Sequence, residues 1–400
     1  MKKKVLFLIH TLQVGGAEKV LVNLVNNMDY DKYDITVMTV VDTGAFRQEL
    51  NKNIKYDSII KLRFINRFKL KKEKKGKNNV GKSGNLFSKK SLLKSLLASL
   101  YKFFWRNVNV SWVYKKCIKK DYDVEIAFLE GISAKIISSS NNKKSKKIAW
   151  IHVDMINETK TEKFFKNYDT EKACYDKFNQ IVCVSEVARK QFIKKYQYDE
   201  SKIIVKYNPI NQEEIIKKSK EKIDTKNTNF TFCTIGRLSS QKGYDRLINV
   251  VAKLNNNGYK FDLWIIGVGA EEGNLKNKLK ELNIKNVYFL GYKKNPYPYI
   301  RVANAFVCSS RAEGFSTVVS EAIILGKAIV TTNCSGMKEL LGNNSEYGLI
   351  CDNNEEALYF GMEKFIKKKR IVEKYEQKVV ERKKIFSLKK SVEAIEKILE

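Results

Sequence analysis

Proline and histidine are scarce in this sequence, and long hydrophobic runs are missing. With 3 prolines and 20 glycines among 400 residues, the chain is not a Pro-rich or Gly-rich linker protein. The 2 histidines, His10 and His152, are too few for a metal centre built from several imidazoles. No apolar run reaches the roughly 18 residues that a membrane-spanning helix requires, so none is predicted.

The cysteines and the N-terminus both indicate a location inside the cell. The 7 cysteines are odd in number and no pair has C-x-x-C spacing, which argues against a disulfide framework or a zinc site and suits a reducing compartment. Lysines and a short apolar run at residues 2–9 resemble the start of a signal peptide. That run is too short and leads into a Gly-Gly loop, so we expect a buried first β-strand instead.

Positive charge dominates the composition. The 76 Lys and Arg against 44 Asp and Glu give a net charge of +32, which predicts an anionic partner: nucleic acid, lipid headgroups or a phosphorylated substrate. Residues 61–120 contain 19 Lys or Arg and one acid, Glu73, and so carry +18 of that charge. Within them, residues 69–90 are rich in Lys, Asn, Gly and Ser, and we expect them to be mobile.

A basic amphipathic helix is predicted in the same insertion, over residues 91–105. Leu and Phe recur there at helical spacing with Lys and Arg beside them, a pattern that suits an anionic membrane surface. The residues predicted to contact the membrane are Leu92, Leu96, Leu97, Phe103, Phe104 and Trp105. The alternative is a helix that packs on the core next to a solvated basic loop.

Apolar runs alternate with helical periods along the rest of the chain, which is typical of parallel α/β architecture. Strands are expected at 4–9, 35–41, 124–129, 147–152, 181–184 and 203–206, and again at 230–235, 261–266, 287–290, 305–308, 328–331 and 348–351. The predicted fold class is α/β, with two Rossmann-like, doubly wound domains. We place an N-terminal domain at 1–208, with the insertion at 61–120, and a C-terminal domain at 209–400, and we allow the last helix to pack back on the N-terminal domain.

Two loops that follow predicted strands carry candidate anion-binding groups. Gly15 and Gly16 follow the first strand and open a helix, so backbone N–H groups there can approach an anion closely. A mere tight turn is the alternative. Arg237 and Lys242 lie between a strand and a helix of the second half, where two cations suit a diphosphate. The alternative for that loop is a solvated basic surface.

A third loop adds two acidic residues. Glu313 lies between a strand and a helix that starts near Ser316, and Glu321 lies on the second turn of that helix. The free N–H groups at Phe315, Ser316 and Thr317 can hold a phosphate. Glu321 could accept hydrogen bonds from two vicinal hydroxyls, such as those of a ribose. Its spacing from Ser316 is not that of a capping box, so capping does not explain it.

Two short motifs resemble other kinds of site by letter only. Asp121 and Asp123 match the Asp-x-Asp of metal-dependent enzymes, but they precede a predicted strand and so lie at the wrong edge of the sheet. Residues 267–273 resemble the Gly-x-Gly-x-x-Gly motif of dinucleotide-binding proteins, but the third glycine stands at the wrong spacing from the second. The sequence therefore predicts neither a metal site nor hydride transfer.

The order of these motifs resembles the retaining glycosyltransferases of family 4, including those of bacterial capsule and exopolysaccharide synthesis. The matching segments are GRL at 236–238 with KG at 242–243, IGVG at 266–269, FLGY at 289–292, SS at 309–310, EGF at 313–315 and EA at 321–322. The match covers residues 230–350. The N-terminal half matches only through GGAE at 15–18 and through His152.

The resemblance implies a GT-B fold, in which two domains face a central cleft, and a role for each candidate. The implied donor-diphosphate residues are Gly15, Gly16, Arg237, Lys242, Phe315, Ser316 and Thr317; the nucleotide-binding residues are Gly291, Tyr292 and Glu321; the catalytic residues beside the sugar are His152 and Glu313. The role of His152 is implied only by its position at the end of a predicted strand. The alternative is that this histidine has a structural role.

The activity implied is retaining transfer of a hexose or N-acetylhexosamine from a nucleotide sugar, UDP by family frequency, to a polyprenyl-diphosphate-linked acceptor in cell-surface polysaccharide synthesis. No cofactor and no metal are expected, because Arg237, Lys242 and helix N-termini can neutralise the leaving group. The protein is expected in the cytoplasm, attached peripherally to the inner face of the plasma membrane.

Several alternatives stay open from the sequence. A glycolipid synthase acting on a diacylglycerol-type acceptor fits the same motifs. In a different class, the basic face could serve a membrane- or nucleic-acid-binding protein without catalysis, or the fold could be an inactive scaffold. Nucleic acid is not expected as a partner, because the excess charge lies with a Leu/Phe stripe and no RNA-binding signature occurs.

Overall fold

We describe the protein from a computed structural model. The structure describes residues 1–61, 84–157, 161–223 and 229–400, and it describes side chains of the helix at 84–107 from residue 96 onward. The side chain of Leu92 and most of the segment expected to be mobile, 69–90, lie outside the described residues.

The N-terminal half forms a parallel sheet in the strand order β3-β2-β1-β4-β5-β6-β7. Its strands are β1 (Lys3–Ile9), β2 (Tyr33–Val41), β3 (Lys55–Ile60), β4 (Val124–Ala127), β5 (Lys146–Ile151), β6 (Gln180–Cys183) and β7 (Ile203–Val205). The strand order reverses between β1 and β4, so a crevice opens there at the carboxyl edge. β1 is buried on both faces, which explains its continuous apolar run.

The C-terminal half repeats the arrangement with the strand order β10-β9-β8-β11-β12-β13. Its strands are β8 (Phe230–Ile235), β9 (Phe261–Ile266), β10 (Val287–Gly291), β11 (Ala305–Cys308), β12 (Ala328–Thr332) and β13 (Leu349–Cys351). The order reverses between β8 and β11, and all pairs are parallel. The loops that follow these strands therefore meet at one edge, where open α/β sheets bind ligands.

Helices cover both faces of each sheet. Those of the first half are α1 (Gly16–Asn26), α2 (Gly84–Asn107), α3 (Val110–Cys117), α4 (Ile132–Ile137), α5 (Tyr168–Tyr175) and α6 (Glu186–Tyr196). The next helix, α7 (Gln212–Lys218), packs against helices of the second half. Those of the second half are α8 (Tyr244–Asn256), α9 (Glu272–Glu281), α10 (Tyr297–Val302), α11 (Thr317–Ile324), α12 (Met337–Leu341), α13 (Glu355–Lys367), α14 (Lys369–Arg382) and α15 (Leu388–Leu399). None in the described ranges is long and apolar enough to cross a membrane.

The last helix returns to the N-terminal sheet. Lys3 Nζ donates to the carbonyl oxygen of Leu399 at 2.9 Å, and Glu396 Oε1 accepts from the backbone N–H of Asp29 at 2.7 Å. Val392, Ile395 and Leu399 of α15 are buried in the same core as β1 and α1. The end of the chain therefore links the two halves on the side away from their carboxyl edges.

The predicted class, α/β with two Rossmann-like, doubly wound domains, is confirmed by this topology. One strand was missed: β3, an edge strand whose side chains are mostly half-buried and whose sequence KYDSII is half polar. The central strands were found because each is a continuous apolar run.

The prediction for Trp105 is wrong, whereas the rest of the described stripe is exposed. Trp105 is 1% exposed and packs in the core beneath β1, with its ring next to that of Tyr101. By contrast, Leu96, Leu97, Phe103 and Phe104 expose between 50% and 68% of their surface. Trp105 follows Phe104 by one position, and a step of about 100° around a helix is enough to turn it inward.

We expect Trp105→Ala to lower the free energy of unfolding by about 3–5 kcal/mol, because a large buried ring is lost and a cavity remains. Phe103→Ala on the same helix should change it by less than about 0.5 kcal/mol, since that ring is 68% exposed. Urea unfolding followed by far-ultraviolet circular dichroism, which reports the backbone rather than the removed tryptophan, measures both free energies. Equal losses would contradict the inward orientation of Trp105.

Candidate active site in the cleft between the two domains

The carboxyl edges of the two sheets face each other at van der Waals distance. Ser185 Oγ, after β6, donates to the carbonyl oxygen of Gly314 in the second domain at 3.1 Å. A Cβ at Gly314 would lie 1.9 Å from the carbonyl oxygen of His152, so only glycine permits this approach. Asp154 adds a further link, since its Oδ2 accepts from Ser335 Oγ at 2.7 Å. Loops from both domains thus form one cleft.

Lys242 and Glu313 form an ion pair in the cleft. Lys242 Nζ lies 2.6 Å from Glu313 Oε1, which also accepts from Ser310 Oγ at 2.6 Å. Burial alone would lower the pKa of Lys242, but the charge of Glu313, its hydrogen bond and smaller electrostatic effects together outweigh burial and raise that pKa. Gly243 ends the loop with φ at 65°, a left-handed conformation that glycine adopts without strain, and this aims Lys242 at the cleft.

Arg246 holds the loop that carries Glu313, and sequence reasoning missed it. Its guanidinium donates to the carbonyl oxygens of Ser309 at 2.8 Å and Ser310 at 2.6 Å, and to Asn353 Oδ1 at 2.7 Å. The side chain is 5% exposed, so it has no free face for a ligand. Its role is to fix the backbone before Glu313.

The N-terminus of α11 faces the glycine loop of the first domain. A Cβ at Gly16 would lie 3.2 Å from Thr317 Oγ1, so the two loops nearly touch. Ser316 is the N-cap of α11, yet its hydroxyl makes no capping bond and is buried without a partner among the described residues. Phe315 packs against Tyr207 with ring centroids 5.1 Å apart. Free N–H groups and an unsatisfied hydroxyl therefore converge where a phosphate was predicted.

Glu321 makes a contact that the sequence did not predict. Its Oε1 lies 2.7 Å from Lys19 Nζ on α1, and Tyr297 OH donates to the same oxygen at 3.2 Å. Lys19 also contacts the Tyr297 hydroxyl. Burial lowers the pKa of Lys19, but the charge of Glu321 and the hydrogen bonds to Glu321 and Tyr297 together outweigh burial and raise that pKa well above its usual value. Lys19 directly follows the GGAE segment; no pattern marks Tyr297.

The remaining candidates line the same edge. Arg237 follows β8 and attracts the carboxylate of Glu18 on the first turn of α1. Gly291, at the end of β10, has φ at 67° and accepts from the backbone N–H of Gly267 at 2.9 Å. Tyr292 beside it is 46% exposed and free to meet a ligand. Arg237, Gly291 and Tyr292 thus lie at the carboxyl edge of the second sheet.

His152 directly follows β5 and is partly buried beside Phe128, with ring centroids 4.9 Å apart. Its backbone N–H and that of Val153 donate to Glu130 Oε1. Its Nε2 is buried without a partner among the described residues. Burial lowers the pKa of His152 to about 3, so the ring is neutral near pH 7. A neutral, unsatisfied imidazole in a cleft is available for a ligand hydroxyl.

Metal ligation finds no support in the described residues. No group of three or more His, Cys, Asp or Glu side chains within those ranges could hold an ion. Asp123 Oδ2 accepts from the backbone N–H of Lys4 at 2.7 Å, at the amino edge of the first sheet and away from the cleft. The Asp-x-Asp letters therefore have a structural role, as the sequence analysis expected.

Part of the sequence matches a known family. Residues 215–385 match the family of glycosyl transferases group 1. The matched segment holds Arg237, Lys242, Glu313 and Glu321, and it leaves out α1 and His152.

Similar curated proteins are also glycosyltransferases by name. The chain is 30% identical over 215 residues to the N-acetylgalactosamine-N,N'-diacetylbacillosaminyl-diphospho-undecaprenol 4-alpha-N-acetylgalactosaminyltransferase of Campylobacter jejuni, covering 53% of this chain and 57% of that one. It is 28% identical over 216 residues to the capsular polysaccharide biosynthesis glycosyltransferase CapM of Staphylococcus aureus, covering 51% and 56%. The chain thus spans about half the length of the curated relatives it matches.

Solved structures match the whole chain. HepE of Anabaena in complex with UDP and glucose has a TM-score of 0.72 at 18% identity, covering 99% of each chain. TarM has a TM-score of 0.69 at 14% identity, covering 100% of this chain and 99% of that one. This likeness confirms the expected GT-B arrangement of two Rossmann-like domains.

The buried histidine predicts how stability depends on pH. The pKa of His152 is about 3 in the folded protein and about 6.5 in the unfolded chain, so only the unfolded state takes up a proton as the pH falls below 6.5. The residue therefore does not reduce the free energy of unfolding above pH 6.5, and it reduces that free energy progressively as the pH falls from 6.5 to 3. Wild type should lose about 2 kcal/mol between pH 7 and pH 5 through this residue.

His152→Gln should lack that loss, and urea unfolding at pH 7 and pH 5 measures the difference between the two proteins. An equal pH dependence in both would show that the imidazole titrates normally.

Proposed function

We propose that the protein is a retaining glycosyltransferase of family 4 that moves a hexose or N-acetylhexosamine from a nucleotide sugar to a polyprenyl-diphosphate-linked acceptor. The observation that carries this is the convergence, in one interdomain cleft, of two cations, two helix N-termini and two buried carboxylates. Such a set complements a nucleoside diphosphate linked to a sugar.

The diphosphate would lie between the domains. Lys242 and Arg237 supply positive charge from the loop after β8, while Gly16 and Thr317 bring the N-termini of α1 and α11 together. The hydroxyl of Ser316 has no partner among the described residues and can donate to a phosphate oxygen. Helix N-termini and buried cations are fixed before the reaction, so they stabilise the charge that develops on the leaving group. This set does the work for which other transferases use a metal, and we propose that none is required.

The sugar would lie between His152 and Glu313. The close approach of Gly314 to the carbonyl oxygen of His152 puts the two candidates on opposite walls of one narrow space. Neutral His152 can bond a sugar hydroxyl without adding charge beside the reacting carbon. We propose retention through a same-face reaction in which the leaving phosphate takes the acceptor proton.

The donor nucleotide and the acceptor class draw support from relatives. The structures of HepE hold UDP or UDP-glucose, and the named substrate of the Campylobacter jejuni relative is a diphospho-undecaprenol. We propose UDP as the nucleotide and a lipid-linked sugar as the acceptor, in the synthesis of a cell-surface polysaccharide. A diacylglycerol-type acceptor is the alternative. Transfer assays with a panel of acceptors would distinguish it from a lipid-linked sugar.

A membrane contact fits a lipid-linked acceptor. The exposed apolar stripe on α2 consists of Leu96, Leu97, Leu100, Phe103 and Phe104. Lys102 and Arg106 lie on the same helix, and Trp112 on α3 is 57% exposed. Apolar side chains with basic residues beside them suit anionic headgroups, each cation adding about 1 kcal/mol. We propose attachment to the inner face of the plasma membrane through this stripe.

Nucleotide release from a panel of UDP- and GDP-sugars tests the function, with and without lipid-linked acceptor extract, in EDTA. We expect acceptor-dependent release from one UDP-sugar. Release only after metal is restored would overturn metal independence, and failure to bind any nucleotide would overturn the donor class.

We expect Lys242→Met to lower kcat/KM by about 10²–10³-fold, because a preorganised charge on the leaving diphosphate is lost. Lys276→Met is the control, since it removes a half-exposed lysine from an ion pair with Glu272 on α9. Steady-state transfer rates compare the two variants. Near-normal turnover in Lys242→Met would contradict the diphosphate role.

The double substitution Leu96→Asp and Leu97→Asp should release the protein from vesicles that contain anionic lipid. Two apolar contacts are lost, and the new carboxylates are repelled by the negatively charged headgroups. The matched control is the double substitution Phe360→Asp and Val380→Asp on the C-terminal domain, where the two side chains are 54% and 56% exposed. Sedimentation with vesicles measures both double variants. Unchanged binding by the α2 variant would leave the stripe without a membrane role.

A further inference from the structure

The first turn of α1 contacts both ends of the proposed donor site. Lys19 reaches across the cleft to Glu321, with Nζ 2.7 Å from Oε1, and lies 4.7 Å from the centre of the Tyr297 ring. This ion pair joins α1 of the first domain to α11 of the second. The preceding residue, Glu18, turns the other way, towards the glycine loop. Neither contact is needed to hold either sheet together.

Lys19 occupies hydrogen-bonding capacity that a ribose would use. Glu321 Oε1 accepts from Lys19 and from Tyr297 OH, so both of its lone-pair positions have donors. Two vicinal hydroxyls that approach this carboxylate must share it with the ammonium or displace it. A 4%-exposed carboxylate without any partner would be costly, so the contact stabilises the closed cleft when no nucleotide is bound.

Glu18 occupies the corresponding position for the diphosphate. A Cβ at Gly15 would lie 2.2 Å from Glu18 Oε2, so the carboxylate folds back over the glycine loop. There it accepts from its own backbone N–H, and the positive charge of Arg237 attracts it. An anion at a helix N-terminus is the arrangement that a phosphate would adopt.

Two neighbouring residues thus occupy the positions proposed for the donor. Glu18 supplies a negative charge where the diphosphate would lie, and Lys19 supplies hydrogen-bond donors where the ribose hydroxyls would lie. Both come from one helical turn that directly follows Gly15 and Gly16. A donor that binds in these positions competes with both side chains.

We propose that the first turn of α1 is an internal substitute for the donor. In it, Lys19 binds Glu321, the carboxylate proposed to bind the ribose, and Glu18 takes the place of the diphosphate. This inference rests on the proposed function, since it assigns a competitor to the same site. Because the nucleotide and the α1 side chains compete for the same positions, removing either contact should strengthen binding of the part of the nucleotide that it opposes.

Equilibrium binding of UDP and of uridine separates the two contacts. Lys19→Met keeps the side-chain length and removes the charge, and we expect UDP and uridine both to bind about tenfold tighter. Glu18→Gln removes the negative charge next to Arg237, and we expect UDP to bind several-fold tighter while uridine is unchanged.

Two controls accompany these variants. Lys19→Arg keeps a cation within reach of Glu321 and should bind like wild type. Lys327→Met breaks an ion pair with Glu376 inside the C-terminal domain, 3.2 Å in N···O distance, and should also bind like wild type. Thermal unfolding of each variant shows that it is folded before its binding is compared.

The outcomes are distinct for the two proposals. Tighter UDP and uridine binding by Lys19→Met, with wild-type behaviour of Lys19→Arg, supports the internal substitute. Weaker binding by Lys19→Met would overturn it and make Lys19 a ligand of the nucleotide, while the proposed function stands. No binding of UDP or uridine by any of the proteins would overturn the proposed donor and this inference with it.

Discussion

The pairing of buried acidic and basic groups across the interdomain cleft is the constraint on which the rest of the site depends. Glu313 and Glu321 are 9% and 4% exposed, and carboxylates so deeply buried persist only where cations or hydrogen-bond donors meet them. Lys242 meets one from the same domain and Lys19 meets the other from the opposite domain. The free energy of these pairs therefore depends on how the cleft is closed and on what occupies it.

Parallel sheet topology explains why these groups meet at all. In each half the strand order reverses once, and every loop with a candidate residue follows the carboxyl end of a strand. Most of these strands lie at or near the reversal, whereas β10, which leads to Gly291, is an edge strand. Two such edges brought face to face concentrate helix N-termini, which favour anions, in one narrow space. The backbone contact between Gly314 and His152 fixes the separation of the edges, because any side chain at position 314 would hold them apart.

The sequence predicts the C-terminal half of this arrangement well and the contacts between the halves poorly. Central strands are continuous apolar runs, and Lys242, Glu313 and Glu321 stand in loops or turns right after them, so local pattern suffices. Lys19 and Glu321 are 302 positions apart and meet only through domain packing, for which no local pattern exists. Trp105 was misplaced for a related reason: helical spacing defines a stripe but does not tell which edge of it turns to the core.

The same helix that exposes the apolar stripe also touches the strand that leads into the site. Tyr101 on α2 shares a 2.9 Å hydrogen bond with His10 Nε2, directly after β1, and Lys135 Nζ caps the end of α2 through the carbonyl oxygen of Trp105 at 2.6 Å. On the proposed function, a stripe seated on lipid would hold the loop of Gly15 and Gly16 at a fixed height above the membrane. An acceptor tethered to that membrane would then approach the cleft from the side of the first domain, while the donor enters from the second. For two substrates to arrive from opposite walls, the polar contacts that close the cleft, such as Lys19 with Glu321 and Ser185 with Gly314, would have to open.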